Sequence, residues 1–573
     1  MVLTESYGMA FERTRTPRSA TCVWGIAVAT LLGMASGSSA QPLTYRDEKE
    51  KTARISETED SLGRKDLRLL SLRNAITATL ENNLDIAVER YNPDVRDQAI
   101  VAQKSAFDPS FSYEFRNAGQ DIPDLRLIPD RSKPPQSGAT TWEVFTTRRR
   151  NTDTMSATLT KKVVTGADVT ARYDYLRLNQ WSPGAAGITI DPSTGTIQNA
   201  LANPRYTTVM TFTFEQPLLR GAGVDYNRSD IKIAILNKKN ATDTYHWQIM
   251  EVVRDVQVNY WTLVNRIRRL AIERESLRRA KRLLADNRAR LRVGTMSRAD
   301  VIESEAQAAE QQKRIIAARY DLLIAENDLK KTMNDPHLTV LTDIAVVPID
   351  QPTSAPKEID WVYCVDRALN LRPDFAALKA QLESNKVAIK QRKNELYPEI
   401  DMEGSLELNG LGTSLHMATD VMSPFYDENF YDAYIGVKVT FPLGGNRAAK
   451  ANYRTAQLQA AQALRNVKNA ELEIIRQVRE AVRYVKNYYE VSVAAKTVRE
   501  LRERQLEAKE IKRKAGTGIP FEVVQAQEDL VNAEGAELDA LINYNIWLAR
   551  LSYRMGTILD ELHIEVEEKP EKK

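Results

Sequence analysis

The sequence predicts an α+β fold in which alternating strands and very long helices occur twice along one chain. Three observations predict it: motifs that recur at a constant offset, a heptad pattern of apolar residues, and segments in which apolar and polar residues alternate. The 573 residues include 27% charged and 7% aromatic side chains, which is typical of an ordered chain rather than a bundle of membrane helices.

The N-terminus has the order of a secretory signal peptide. Arginines precede an uncharged stretch that begins at Cys22, and small residues end at Ala40. This stretch is shorter than the roughly 20 residues of a membrane-spanning helix, although a retained N-terminal anchor is the alternative. Cleavage after Ala40 would leave Cys364 without a disulfide partner. Met9 is an alternative translation start.

The balance of charge argues against nucleic acid as a partner. The chain has 80 basic and 77 acidic residues, a formal net charge of +3, and therefore no strong basic footprint. After the N-terminus no segment stays apolar for the roughly 18 residues of a transmembrane helix. A mature chain that spans a membrane must therefore do so as a β-barrel.

The two halves of the chain match each other. Residues 292–295 and 300–303 recur as residues 514–517 and 522–525, and the same offset relates residues 251–254 to 473–476. Residues 85–109 match 374–398 at a different offset, so the first half carries an insertion between Pro109 and Pro217. A constant offset over tens of residues predicts helices of equal length in both halves.

Two long helices are predicted, one in each half. Residues 229–291 contain no proline or glycine, and their apolar positions are spaced alternately by four and three: Ile249, Val253, Val256, Tyr260, Leu263, Ile267 and Leu270. This is a heptad seam, which favours supercoiling against neighbouring helices. The second half repeats it at Ile475, Val478, Val482, Val485 and Tyr489. Each long helix ends at a Gly-Thr pair, after which a second helix returns to form an antiparallel hairpin.

Strands are predicted on either side of these helices. Apolar residues alternate with polar ones over residues 111–115, 206–214, 402–408 and 433–441. The insertion adds residues 154–164 and 169–175, joined by a tight turn at Gly166 and flanked by long connections rich in Pro, Gly and Ser. Short turns at one end and long loops at the other are typical of outer-membrane barrels. A soluble β-sandwich attached to helices is the alternative.

These patterns divide the chain into ten segments. They are a signal peptide (1–40), a charged flexible segment (41–68), a short helix (69–106), strands with the inserted hairpin (107–217), a long helical hairpin (218–335), a linker (336–357), a second short helix (358–396), a second β-hairpin (397–443), a second long helical hairpin (444–559) and a charged tail (560–573).

The order of several short motifs, in duplicate, resembles the outer membrane efflux protein family of TolC-like channels. The motifs are Asn82 to Asp85 and Leu371 to Asp374, strand starts at Pro109 and Pro398, residues 216–221 and 441–445, and the two Gly-Thr tips. The resemblance covers about residues 69–559. It implies an α+β membrane protein, a trimeric transmembrane β-barrel continuous with a long α-helical periplasmic barrel, built from two tandem structural repeats.

The resemblance also implies a function and partners. We expect a homotrimer in outer-membrane lipid that serves as the exit duct of a tripartite efflux or type I secretion system. Its partners would be a periplasmic adaptor, or membrane fusion protein, and an inner-membrane pump that supplies the energy. The barrel would have 18 strands if the inserted hairpin joins its wall, and twelve if the hairpin decorates the outer surface.

Two sets of site residues follow from the resemblance. In the family the hairpin tips meet the adaptor, which here indicates Arg292, Gly294, Thr295, Lys514, Gly516 and Thr517. Acidic residues just past the tips narrow the periplasmic aperture, which here indicates Asp300, Glu303, Glu522 and Gln525. Gln525 departs from the acidic pattern. The alternative interpretations are a glycine turn at each tip and solvated charges on the helix faces.

Catalysis is not expected. His246, His337, His416 and His563 are scattered without a metal-ligand spacing, and Cys364 lies in an amphipathic segment. From the sequence we therefore expect a protein that is not an enzyme and that has no metal site and no cofactor. Besides the duct, two other classes of function remain open: a soluble periplasmic coiled-coil adaptor, and an adhesion or structural protein of the outer membrane.

Overall fold

The computed structural model describes residues 66–129, 140–181, 189–190, 197–198, 204–412, 431–515 and 517–566. The predicted signal peptide, most of the charged segment that follows it and the end of the C-terminal tail lie outside the described residues. His416 and Gly516 also lie outside them. Helices make up most of the described chain, and no helix in these ranges is long and apolar enough to cross a membrane.

The first short helical segment is interrupted. A single helix was predicted over residues 69–106, but the chain forms strand β1 (Leu67–Leu70) and then helices α1 (Leu72–Asn82), α2 (Leu84–Glu89) and α3 (Tyr91–Lys104). Asn83 causes the first break, because its backbone is extended and its side chain accepts hydrogen bonds from the backbone N–H groups of Asp85 and Ile86. It therefore caps α2.

The strands of the first half follow. They are β2 (Ser110–Pro129), β3 (Thr140–Lys162), β4 (Asp168–Trp181), the short pair β5 (Thr189–Ile190) and β6 (Ile197–Gln198), and β7 (Arg205–Pro217). A short helix α4 (Val224–Asn227) then leads into α5 (Ser229–Arg292), and α6 (Arg298–Met333) returns beside it. At 1.5 Å per residue, the 64-residue α5 is about 95 Å long.

The second half begins after strand β8 (Ala345–Pro348), which pairs in parallel with β1. Its elements are α7 (Trp361–Leu371), α8 (Pro373–Asn394), β9 (Glu399–Gly412), β10 (Tyr431–Thr440), the 68-residue α9 (Arg447–Lys514), α10 (Pro520–Met555) and the short α11 (Ile558–Glu561). Arg372 separates α7 from α8 with an extended backbone, and Pro373 opens α8 at a position where its missing N–H is not needed.

Six strands form one antiparallel sheet in the order β10, β9, β7, β4, β3, β2. The strands from both halves therefore share a sheet, joined where β7 pairs with β9. The inserted hairpin, β3 and β4, lies between β2 and β7. It is a part of the sheet and not an appendage to it.

The helical core follows the predicted heptad seam. Val253, Val256 and Tyr260 of α5 are fully buried, in one apolar cluster with residues of α6 and α10. A second cluster joins α9 to α10 around Val478, Val485, Tyr544 and Leu551. Each long helix thus buries one stripe against its neighbours, as a heptad pattern requires.

Polar contacts attach the linker to these helices. Asp350 accepts hydrogen bonds from the Tyr260 hydroxyl at 2.7 Å and from the backbone N–H of Leu72 at 2.6 Å, so one carboxylate fixes α5 and the start of α1. Burial, followed by the hydrogen bond to Asp350, raises the pKa of Tyr260 above its usual range. Farther along α6, the buried Lys330 ammonium lies 2.8 Å from Glu326 and donates to the carbonyl of Ile344.

Candidate functional site

One face of the six-stranded sheet is apolar. Residues that pair directly across neighbouring strands form a row whose side chains lie on the same face of the sheet. Because side chains alternate along a strand, successive rows lie on opposite faces. Two neighbouring rows on the apolar face show the pattern. The first consists of Phe111, Leu159, Ala171, Phe212, Leu406 and Ala433. The second consists of Tyr113, Ala157, Tyr173, Met210, Leu408 and Tyr431.

The opposite face is polar. The row between the two apolar rows consists of Ser112, Thr158, Arg172, Thr211, Glu407 and Asp432. A sheet with one apolar and one hydrophilic face suits lipid on one side and water on the other. In these three rows all six strands follow the pattern, including the two strands of the inserted hairpin.

Both edges of the sheet carry exposed apolar side chains. On β2 Phe111 is 69% exposed, and on β10 Ile435 is 81% exposed. Neither β2 nor β10 has a second neighbour within the described sheet. Such long apolar edges need a partner strand, above all in a membrane, where an unpaired backbone group costs several kcal/mol.

The first helical tip is a tight turn at the end of α5. Gly294 adopts a φ of +79°, in the left-handed region that favours glycine, and a Cβ added there would meet nothing within 4 Å. Thr295 then donates two hydrogen bonds to the carbonyl of Arg290, from its backbone N–H at 3.0 Å and from its hydroxyl at 3.1 Å. Gly294 is thus needed for the turn itself, and Thr295 closes the end of α5.

The second tip closes in the same way. The backbone N–H of Thr517 donates to the carbonyl of Lys512 at 3.1 Å, and its hydroxyl donates to the same oxygen at 3.3 Å. Arg292 and Lys514 are exposed beside the two turns. The tips also expose apolar side chains, with Val293 of the first and Ile519 of the second more than half exposed.

The two acidic residues just past the tips have local partners. Asp300 belongs to a capping box at the start of α6, where its carboxylate accepts from the Ser297 hydroxyl at 2.7 Å and from the Ser297 N–H. Glu522 lies 2.6 Å from the Lys509 ammonium, which lowers the pKa of this carboxyl. Both groups thus have structural partners as well as charge.

The other two predicted aperture residues differ from each other. Glu303 is half-buried on α6, one turn after Asp300. Gln525 is exposed on α10, and its amide donates to Asp529 at 3.3 Å. The second half therefore has an amide where the first half has a carboxylate.

A set of ion pairs between the two helical hairpins was not anticipated from the sequence. The guanidinium of Arg513, which is 6% exposed, lies 3.2 Å from Asp286. Farther from the tips, Arg279 lies 3.2 Å from Glu534 and Arg314 lies 2.9 Å from Glu528. Each pair joins the first hairpin, α5 and α6, to the second, α9 and α10. The two partners of each pair lie far apart in the sequence, so no pattern within one segment indicated the contact.

The described residues contain no group of three or more His, Cys, Asp or Glu side chains that could hold a metal ion. Cys364 is buried in α7, and burial raises the pKa of its thiol, which disfavours the reactive thiolate.

Comparison with solved structures shows where this fold occurs. A membrane protein from Pseudomonas aeruginosa aligns with 15% identity and a TM-score of 0.59, over 85% of this chain and 93% of its own. The CmeC outer membrane channel of Campylobacter jejuni aligns with 15% identity and a TM-score of 0.57, over 85% and 86%. The open state of the MtrE outer membrane channel of Neisseria gonorrhoeae aligns with 14% identity and a TM-score of 0.56, over 85% and 89%.

At these identities the solved structures show a shared fold. Among curated proteins no sequence matches significantly. The family model of the outer membrane efflux proteins matches residues 186–335 and 364–557, which is more than half of the chain and includes both helical tips. The resemblance read from the duplicated motifs is therefore confirmed, and the chain belongs to the outer membrane efflux protein family.

Proposed function

We propose that this outer membrane efflux channel is the exit duct of a tripartite efflux or type I secretion system. In this proposal three copies close a transmembrane barrel and a helical tunnel, through which substrates from an inner-membrane pump pass without further energy input. One observation carries the proposal: a sheet with one apolar and one polar face leads directly into helices of 64 and 68 residues.

The unpaired sheet edges support a homotrimer. Strands β2 and β10 lie at opposite edges of an antiparallel sheet with an even number of strands, so they run in opposite directions. The β2 edge of one copy can therefore continue the antiparallel order by pairing with β10 of the next copy. Repetition around an axis closes the wall and leaves no edge in lipid.

Two features of the tips support a contact with an adaptor. The turns at Thr295 and Thr517 present exposed cationic residues, Arg292 and Lys514, beside exposed apolar side chains. Apolar anchors with a polar rim are typical of protein interfaces. In the proposed duct the long helices separate these tips from the sheet by their full length. The tips therefore lie at the end of the duct where an adaptor and a pump would bind.

The acidic residues past the tips are proposed to narrow the periplasmic aperture. Lys509 holds Glu522 in its ionised form, because the ion pair lowers the pKa of the carboxyl. Asp300 is held by the Ser297 cap. In a trimer Asp300, Glu303 and Glu522 would form rings of carboxylates, which favour cations over anions, whereas Gln525 adds no charge.

The test is the conductance and ion selectivity of the purified oligomer in planar bilayers. Asp300→Asn with Glu522→Gln removes two charges and retains oxygen atoms that can accept the Ser297 and Lys509 hydrogen bonds. Glu81→Gln with Asp85→Asn, on α1 and α2, is the matched control. We expect a small conductance that favours cations, with the preference reduced in the tip variant and unchanged in the control.

Different results would reject different parts of the proposal. A soluble protein without conductance would overturn the duct and favour a periplasmic coiled-coil adaptor. Conductance with unchanged selectivity in the tip variant would reject the aperture residues. If deletion of the gene left export of pump substrates intact, a structural role in the outer membrane would replace the transport role.

A further inference from the structure

The inserted hairpin bears on the width of the exit. We propose that β3 and β4 form part of the barrel wall, so that three copies close an 18-stranded barrel whose size does not limit the cargo. This inference rests on the trimeric duct proposed above. It decides between the two arrangements that the sequence leaves open.

The first argument is strand order. β3 pairs with β2 from Thr160↔Ser110 to Thr140↔Pro129, with one shift of register between Ile122 and Asp124. β3 also pairs with β4, without a shift of register, from Lys162↔Asp168 to Arg149↔Trp181. β4 then pairs with β7 from Asp168↔Glu215 to Leu178↔Arg205. β2 and β7 are therefore separated by two complete strands. A hairpin that only decorated the outer surface would leave β2 and β7 hydrogen-bonded to each other.

The second argument is the division between faces. Ala157 and Tyr173 of the hairpin lie in the same apolar row as Tyr113 of β2 and Met210 of β7. Thr158 lies in the polar row. In a hairpin outside the wall, nothing would require the apolar and polar residues to lie on the same faces as those of the wall strands. A hairpin within the wall must do so, because one face meets lipid and the other meets water.

The third argument is the turn that joins β3 to β4. The backbone N–H of Gly223 donates to the carbonyl of Thr165 at 3.0 Å, and the Thr165 hydroxyl donates to the side-chain oxygen of Gln216 at 3.0 Å. Gly166 has a φ of +100°, and a Cβ there would lie 2.7 Å from the carbonyl oxygen of Gly221. The turn is thus packed against the chain that connects β7 to α5, at the base of the wall.

The consequence is a wide exit. With strands about 4.8 Å apart and tilted by about 40°, an 18-stranded barrel has a backbone radius of about 18 Å, against about 12 Å for twelve strands. Six strands from a single copy would close at about 6 Å, too narrow for a bore. The 18-stranded circumference of about 113 Å is close to the roughly 120 Å of twelve helices spaced by about 10 Å. The size limit for cargo then lies at the helical tips rather than at the outer membrane.

Disulfide trapping in outer membranes tests the strand order, in a background of Cys22→Ala and Cys364→Ser. Ser112→Cys with Thr158→Cys probes β2 against β3, and Ser112→Cys with Thr211→Cys probes β2 against β7. All three positions lie in the same polar row. Three strand spacings separate Ser112 from Thr211 by roughly 14 Å, beyond the roughly 7 Å that a disulfide spans.

We expect mild oxidation to remove the free thiols of the Ser112 and Thr158 pair and to leave those of the Ser112 and Thr211 pair available to a maleimide. Thr211→Cys with Glu407→Cys, which joins β7 to β9 in either arrangement, is the positive control. The reverse result, with oxidation of the Ser112 and Thr211 pair only, would overturn the 18-stranded wall. The oligomer band of the same samples tests the trimer independently.

Fluorescent labelling tests the faces without a second cysteine. A label at Ala157→Cys should be quenched by a nitroxide lipid and protected from aqueous iodide, and a label at the adjacent Thr158→Cys should show the opposite response. A hairpin lying on the outside would expose both positions to the same medium. Equal responses at the two positions would therefore contradict the proposal.

Discussion

At the scale of single residues, several polar side chains have a structural role that their charge alone does not indicate. Asp300 and Glu522 occupy the predicted aperture positions, but one caps a helix and the other pairs with Lys509. Lys330 and Glu326 are almost fully buried as an ion pair that also reaches the linker. A buried pair of this kind is costly to break, because the remaining charge has no water to solvate it.

The proposed aperture should respond to acid at Glu522. Since Lys509 lowers the folded pKa of this carboxyl, the pair remains ionised at pH values above the ordinary glutamate pKa of about 4.3. The stability that this ion pair contributes to the tip is lost only as the pH falls through the lowered pKa of Glu522. We expect single-channel conductance of the wild type to change in that acidic range, and the change at this site to be absent in Glu522→Gln. An identical acid response in both proteins would contradict this assignment.

Breaking the buried pair should destabilise the linker region. Lys330→Met removes the ammonium group that lies 2.8 Å from the buried Glu326 carboxylate, and we expect a loss of about 3 kcal/mol in the free energy of unfolding. The double variant Lys330→Met with Glu326→Leu should recover most of that loss. Thermal melting followed by circular dichroism in detergent measures both. Equal melting temperatures of the single variant and the wild type would show that the pair is dispensable.

At the scale of elements, the two helical hairpins are held together by charges near and above the tips. Arg513 of α9 is buried and reaches Asp286 of α5, which ties the end of the second hairpin to the first. The pairs of Arg279 with Glu534 and Arg314 with Glu528 lie farther up. An aperture that opens by separating its hairpins must break such contacts.

Loss of the contact between Arg513 and Asp286 should favour the open aperture. We expect Arg513→Ala and Asp286→Ala each to raise the mean conductance in planar bilayers, with a coupling energy of about 1 kcal/mol because Asp286 is largely exposed. Exchange of the charges, Arg513→Asp with Asp286→Arg, should restore part of the closed population. Two single effects that add without coupling would show that the pair does not hold the aperture closed.

At the scale of the whole molecule, length is set by the helices and width by the sheet. The 68 residues of α9 extend over about 100 Å, and the sheet adds roughly 30 Å at the usual tilt of membrane strands. The proposed trimer would then be an elongated particle with the barrel at one end and the tips at the other.

Electron microscopy of the detergent-solubilised protein should therefore show particles with threefold symmetry that are about 130 Å long. The barrel at one end of the particle should have the same width along its whole height. A monomeric particle, or a twofold one, would reject the proposed assembly. A threefold particle of half this length would show that the hairpins do not extend along a common axis.

Much of this fold could be predicted from local sequence. The heptad seam at Val253, Val256 and Tyr260 and the alternation along β2 and β10 are periodic patterns that a single segment contains in full. The break at Asn83 was missed, because asparagine acts as a cap only when its side chain meets the next N–H groups. The pair of Arg513 and Asp286 was missed because its partners come from separate helices.

The sequence by itself determined the long helices, the alternating strands and the family, since periodicity and motif order are properties of one chain read in one dimension. Tertiary structure decided where the inserted hairpin lies and which charges meet. Apolar and polar residues alternate along β3 and β4 in the same way whether the hairpin is part of the barrel wall or lies beside it. Only the register with β2 and β7, formed by backbone hydrogen bonds between distant segments, distinguishes the two positions.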